Sequence, residues 1–195
     1  MQTLNGKPYI KKLQDWMRDE RVDLWATDEV HFQQHGSRCR MWIPPEVKDP
    51  ILLHHPSRHS VGYFGAVRLR DGRFVFRREV DKFNGLTFGA FLEQLEDTST
   101  VQGRRVIVIT DNAKYHHANL HKDWREAHAQ HFALDFLPPY SPELNPIERI
   151  WKLTRRHCLH NRYFETLDLV IEAVESTFDG WTEGTETLRR LCAII

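Results

Sequence analysis

The sequence predicts an α/β fold, a mixed β-sheet with helices on both faces, and three stretches carry that expectation. Residues 104–110, RRVIVIT, are apolar on both alternating faces, as a strand must be when helices cover both of its sides. Residues 60–69, SVGYFGAVRL, and 73–80, RFVFRREV, flank an Asp-Gly pair, a strong signal for an antiparallel hairpin. Helical periodicity recurs between and after these strands, so the helices have strands to cover.

In chain order, residues 8–20 place Ile10, Leu13, Trp16 and Met17 at helical spacing. Residues 22–30, VDLWATDEV, read as a strand with Val22, Leu24, Ala26 and Asp28 on one side, so Asp28 and its neighbour Glu29 point to opposite faces and are not expected to share a site. A proline-rich irregular stretch at 44–59 precedes the hairpin. Residues 86–97 form a helix that buries Phe88, Phe91, Leu92 and Leu95 despite Gly89. After the buried strand, residues 113–128 read as helical, 132–137 as a short strand and PPYSPELNP as a loop. Three helical segments, 146–159, 165–179 and 183–193, close the chain. No repeat or linker divides it, and residues 1–195 read as a single domain.

Composition narrows the function. With 41% hydrophobic and 28% charged residues, the chain has enough apolar surface to fold as a globular protein. Its apolar runs fall far short of the ~20 residues that span a bilayer, and no signal sequence opens it, so a cytoplasmic location is expected. Cys39, Cys158 and Cys192 are odd in number and not in CxxC spacing, which predicts free, partly buried thiols. Basic and acidic residues balance at 27 each, so any nucleic-acid contact must rest on local patches.

The chemistry centres on acids at element ends. Functional groups in open α/β sheets gather at the carboxyl ends of strands. Asp111 stands there, directly after RRVIVIT, although Asp and Asn are also preferred helix N-caps, and the segment alone leaves both roles open. Asp28 also ends a strand. Asn145, Pro146, Ile147 and Glu148 fit the N-cap and first three positions of the 146–159 helix, so Glu148 is either a capping-box member or a site acid. In either role the helix dipole favours its ionised form. Three such carboxylates can hold two Mg²⁺ or Mn²⁺ ions about 3.5 to 4 Å apart for in-line displacement at phosphorus. Motifs for a serine or cysteine nucleophile or a phosphate-cradling loop are lacking.

At about 100° per residue, Glu148, Arg149, Lys152, Arg155 and Arg156 share one sector of the 146–159 helix, opposite Ile147, Ile150, Trp151, Leu153 and Cys158. Either a strip for DNA phosphates or a solvated basic face accounts for that sector. Lys114, just past Asp111, joins the candidate DNA contacts. His117 and His121 have the i, i+4 spacing of a zinc pair, but no third ligand stands near them in sequence.

DNAKYHHA at 111–118, LPPYSPELNPIERIWKLTRR at 137–156 and LWATDEVHF at 24–32 closely resemble the catalytic core of the insertion-sequence-630 and mariner superfamily of transposases. HNRYF at 160–164 and SVGYFGAV at 60–67 are also similar to family segments. The resemblance implies an RNase H-like fold and a DDE triad of Asp28, Asp111 and Glu148. It further implies two divalent ions, cleavage of DNA at transposon ends, and transfer of 3′-hydroxyl ends into target DNA, usually at TA. Thirty-six residues, 112–147, separate the second and third acids, close to the short spacing of the superfamily. Glu143 competes as third acid but lies in the proline loop. Asn112 and His116 match near-site positions, where His116 either packs beside the site or meets DNA; Trp151 reads as core.

By the same resemblance the partners are double-stranded DNA, as transposon ends and target, and a second copy of the chain on that DNA. Such a protein would work in the bacterial cytoplasm at the nucleoid. Twenty-one residues precede the first strand, too few for the helix-turn-helix region of relatives, so the expectation is an isolated catalytic domain, a separately encoded second reading frame or a truncated remnant, with room for a separate end-binding polypeptide. The competing readings are a catalytically silent, DNA-binding or partner-dependent remnant and an RNase H-like nuclease acting on RNA in a hybrid.

Overall fold

The computed structural model describes residues 6–40, 42–47, 51, 53, 55–80, 82–100 and 103–194; part of the irregular stretch at 44–59 lies outside them. Helix α1 (Gly6–Arg18) leads into the long strand β1 (Val22–Gln33), followed by β2 (Ser60–Arg68), β3 (Phe74–Glu79), α2 (Gly85–Ser99) and β4 (Arg105–Thr110). Two 3-10 turns, Lys114–His117 and Asn119–His121, precede α3 (Lys122–His128) and β5 (Phe132–Phe136). A 3-10 turn at Pro142–Leu144 leads to α4 (Glu148–Thr154), whose last turn widens into a π-helix at Arg155–Leu159, and α5 (Leu167–Asp179) and α6 (Glu186–Leu191) follow.

Among the described residues one five-stranded sheet forms in the order β3-β2-β1-β4-β5. β1 is antiparallel to β2 and parallel to β4, so the expected mixed sheet is present and the 60–69 and 73–80 segments pair as a hairpin. One face packs Leu24, Ala26, Ile107 and Ile109 against Leu13 of α1, Ile150 and Trp151 of α4, Val174 and Phe178 of α5 and Leu188 of α6. The opposite face packs Trp25, Phe64, Val106 and Val108 against Phe88, Phe91, Leu92 and Leu95 of α2. Each of these large side chains contributes roughly 1.5–3 kcal/mol by leaving water. α2 starts from a capping box, with the Asn84 side chain accepting from the Leu86 and Thr87 backbone and the Thr87 hydroxyl accepting from the Asn84 N–H.

Two expectations need correction. Residues 113–128 are not one helix: extended backbone at Ala118 separates the two 3-10 turns, and the α-helix begins only at Lys122. The cause is tertiary, since the turns aim His116 and His121 inward against Phe88, where both are buried. The helix predicted from Pro146 starts at Glu148, and Asn145 does not cap it with its side chain. That side chain instead donates from Nδ2 to the Thr27 carbonyl of β1 at 3.0 Å. The bond links the loop before α4 to the strand that bears Asp28.

Candidate active site

The register of the central pair places the first two acids. Ala26 of β1 pairs with Ile109 of β4, the last partners of the two strands; Asp28 follows two residues later on β1, and Asp111 two residues later just past the end of β4. Neighbouring strands lie about 4.8 Å apart. β1 continues past Asp28 to Gln33 while β4 stops at Thr110, which leaves Asp111 in the turn where the chain leaves the sheet.

Asp28 is held from the α4 side. The Trp151 indole Nε1–H donates to Asp28 Oδ2 at 3.1 Å, so Trp151 is both core, as expected, and a partner of the acid. Gly65, paired with Asp28 across β1 and β2, makes room for that indole: a Cβ there would lie 2.5 Å from Trp151 Cη2. Burial, followed by the charges of Glu29 and Glu148, pushes the Asp28 carboxyl up to about 8 against the lowering effect of the Trp151 bond. Glu148 is half-buried at the start of α4, whereas Glu143 is exposed in the preceding turn.

Asp111 has the opposite electrostatics. His116 Nδ1 lies 2.8 Å from its Oδ1, and the Ala113 N–H donates to the same oxygen at 3.0 Å. The His116 hydrogen bond holds the Asp111 carboxyl below its ordinary value, so it is ionised at neutral pH. His116 is buried, with Nδ1 also 3.1 Å from Thr110 Oγ1 and Nε2 3.9 Å from Glu29 Oε2. Glu29 thus lies on the sheet face opposite Asp28, as the strand alternation requires, yet reaches the histidine that holds Asp111. Strand alternation alone gave no sign of that role.

Asn112 donates from Nδ2 to the Leu137 carbonyl and pairs through Oδ1 with His117 Nε2 at 3.3 Å, so it ties the turn after β4 to the segment after β5. His117 stacks on Phe136, while His121 turns to the Tyr115 carbonyl. With no helix between them, the two histidines do not form the zinc pair their spacing suggests.

Lys114, Lys152 and Arg156 are exposed, and Arg155 is half-buried with its guanidinium 5.4 Å from the Phe32 ring centroid. Arg149 is committed elsewhere: its guanidinium donates to the Leu191 and Ala193 carbonyls at 2.8 and 2.9 Å, capping the end of α6. An open groove beside Asp111 is lined by Asn112, Leu137, Pro139, Tyr140 and Pro142. Tyr140 is 95% exposed at its lip and adopts a left-handed φ of 57°, a backbone cost that tight packing does not explain. The sequence signal for it was an aromatic residue inside a proline-rich loop.

Residues 23–171 match the DDE superfamily endonuclease family. The chain belongs to that family. Among DDE structures it is similar to the Mos1 mariner paired end complex with Mn, at a TM-score of 0.68 and 16% identity over 95% of this chain and 55% of that one. The catalytic domain of Mos1 mariner transposase matches at a TM-score of 0.59 and 15% identity, over 95% of this chain and 85% of the other. A chain of the simian T-cell lymphotropic virus intasome, in complex with PP2A regulatory subunit B56 gamma, matches at 0.51 and 12% identity, covering 82% and 50%. An uncharacterized protein, y4pE/y4sA, of Sinorhizobium fredii (strain NBRC 101917 / NGR234) is 36% identical over 73 residues, 37% of this chain and 50% of that protein. The DDE chain thus spans about half the length of the first two relatives that it matches by sequence and by structure. Its mixed five-stranded sheet is the RNase H-like fold of the Mos1 transposase catalytic domain. No helix among the described residues is long and apolar enough to cross a membrane.

Proposed function

We propose that this chain is the catalytic domain of a transposase of the insertion-sequence-630 and mariner branch, cutting DNA and joining 3′-hydroxyl ends to a target. The observation that supports the reading is that Asp28 lies on β1, the neighbour of β4, with Asp111 in the turn at the end of β4 and α4, which begins at Glu148, bonded to Asp28 through Trp151. The donor set fits hard divalent cations: all three proposed ligands are carboxylates, and a bound cation would offset the burial, and after it the Glu29 and Glu148 charges, that raise Asp28. Asp28, Asp111 and Glu148 would hold two Mg²⁺ or Mn²⁺ ions, which when bound activate a water or 3′-hydroxyl and stabilise the leaving oxygen.

The remaining groups hold that arrangement. His116 keeps Asp111 ionised, Trp151 orients Asp28, and the Asn145 bond to Thr27 fixes the start of α4 against β1. Lys114, Lys152, Arg155 and Arg156 meet backbone phosphates, and Tyr140 offers a face on which a base at the cleavage point can stack. Action on transposon ends, target choice at TA, pairing of two copies on DNA and work at the bacterial nucleoid belong to this same proposal.

The test is nicking of supercoiled plasmid by the purified chain with Mn²⁺ or Mg²⁺, beside EDTA and Asp111→Ala controls. Metal-dependent nicking that disappears in the variant supports the reading. Absence of both nicking and calorimetric Mn²⁺ binding would sink it and leave a silent, partner-dependent module. Cleavage of the RNA strand of a hybrid without joining would point instead to a ribonuclease.

A further inference from the structure

A second cluster of metal-ligating groups lies at the other end of the sheet. Glu96 in the last turns of α2, His128 at the end of α3 and His131 just before β5 bring one potential ligand atom each within 4.8 Å of one another. No other trio of His, Cys, Asp or Glu does so among the described residues. His131 precedes β5, where the parallel strands start, while Asp111 follows the end of β4. A six-residue strand separates the two levels, roughly 20 Å at about 3.3 Å per residue.

We infer that Glu96, His128 and His131 form a binding site for a borderline divalent transition-metal ion, Zn²⁺ above all, that clips α2, α3 and the start of β5 together. Three features of the cluster support it. His128 Nδ1 lies 2.7 Å from the Trp124 carbonyl, which can only accept, so the ring proton sits on Nδ1 and Nε2 keeps its lone pair. A histidine ligand whose second nitrogen donates to a backbone carbonyl is oriented as metal sites require. Trp124 stacks on the same ring at 4.5 Å between centroids, which further limits its rotation.

His131 Nε2 faces Glu96 Oε1 at 3.0 Å, and Thr100 Oγ1 donates to that same oxygen at 3.2 Å. A cation replaces the shared proton between carboxylate and imidazole, and the ring then carries its proton on Nδ1. The backbones are anchored too: the His131 N–H donates to the His128 carbonyl at 3.0 Å, and the His131 carbonyl accepts from Val106 of β4 at 2.7 Å. Two imidazoles and one carboxylate favour Zn²⁺ over Mg²⁺ or Ca²⁺, which prefer oxygen alone. The His131 and Glu96 side chains are 42% and 18% exposed, so water can enter as a fourth ligand.

The experiment titrates Zn²⁺ into the full chain carrying Asp28→Asn and Asp111→Asn, which removes the carboxylate site proposed above. Equilibrium dialysis is expected to show one saturable Zn²⁺ per chain, with a rise in melting temperature on Zn²⁺ addition. Adding His128→Gln and His131→Gln is expected to abolish that binding. Glu96→Gln serves should the histidine variant fail to fold, because its amide oxygen still accepts from His131 while it ligates poorly: at least tenfold weaker Zn²⁺ binding with an unchanged metal-free melting temperature is expected. No saturable Zn²⁺ in the parent, or undiminished binding in Glu96→Gln, would overturn the inference and leave the cluster as a tie between α2 and β5. Because the carboxylate site is removed throughout, neither result bears on the nuclease reading.

Discussion

Gly65 and Trp151 meet face to face, with the glycine bare so that the indole can lie against β2 and reach Asp28. A methyl at Gly65 would sit 2.5 Å from Cη2 and also 2.9 Å from the Phe74 ring, in a core with no room to yield. Gly65→Ala is expected to destabilise the fold by about 1–3 kcal/mol, the usual range for overpacking. The milder Trp151→Phe keeps an aromatic ring but removes the donor to Asp28. It is expected to lower the nicking rate at least tenfold with a smaller change in the urea midpoint, and equal loss of both would show that Trp151 is only packing.

Asp28 is expected to make the stability of the metal-free chain fall as pH rises. Its carboxyl is raised from 3.8 to about 8, so the folded state holds the proton more tightly than the unfolded state does. That contribution is fully present below about pH 4 and is lost as pH rises to 8. In EDTA, Asp28→Asn is expected to be more stable than the parent at pH 9. Its advantage should grow between pH 5 and pH 9 by more than one pKa unit, about 1.4 kcal/mol. Melting curves at the two pH values check this, and a pH-independent difference would contradict it.

His116 acts on Asp111 through a bond that His116→Leu removes without adding a new polar group. Mn²⁺ affinity measured by calorimetry is expected to drop about 10- to 100-fold, the cost of losing a partner that orients a metal ligand. His116→Asn, which can donate from a similar position, is expected to recover part of that loss. Equal affinities for all three proteins would remove His116 from the site.

The basic residues of α4 and its π-turn divide by what they already touch. Lys152→Ala and Arg156→Ala are each expected to reduce the slope of log affinity for duplex DNA against log salt by about 1, with little change in stability. Arg149→Ala is expected to leave that slope alone and lower the melting temperature, because its guanidinium caps α6. Fluorescence anisotropy over a salt series separates the two cases.

Asp23, at the start of β1, is fully buried among Arg68, Arg70 and Arg104 at 3.5, 3.0 and 3.4 Å. Asp23→Ala leaves those guanidinium groups without their shared counter-charge and is expected to cost about 3–5 kcal/mol. The urea midpoint reads this, while nicking per folded molecule should be unchanged because Asp23 lies at the far end of β1 from Asp28.

The sheet and the place of Asp111 after β4 were legible because both depend on strand periodicity, which is local; Asp28 was expected to end its strand, but β1 runs on to Gln33, paired with β2 through Gln33 and Ser60. Glu148 was legible as an acid near a helix start. The capping role expected of Asn145 is absent, because its side chain bonds to Thr27, a carbonyl 118 residues away, and no local rule reports that bond. Residues 113–128 carry a helical pattern, yet seating His116 and His121 against Phe88 overrides it. The angular sector of α4 gave the side on which Arg149 lies, but not that the end of α6 stands there. His128 and His131 were passed over in favour of His117 and His121, whose helical spacing has meaning only if the segment is a helix.

The three acids of the proposed site come from segments joined by pairing over long stretches of chain. β2 and β3 form a local hairpin, and β1 can pair with β2 early, but β1 must await β4 and the anchor at Asn145 must await the loop after β5. During synthesis the amino-terminal part folds first. A nascent chain that has not yet reached residue 148 therefore carries Asp28 and Asp111 without the third carboxylate. If the proposed function holds, any hydrolytic competence toward the chromosome has to wait until the last quarter of the polypeptide is made, and the ordering is set by where the acids fall along the chain.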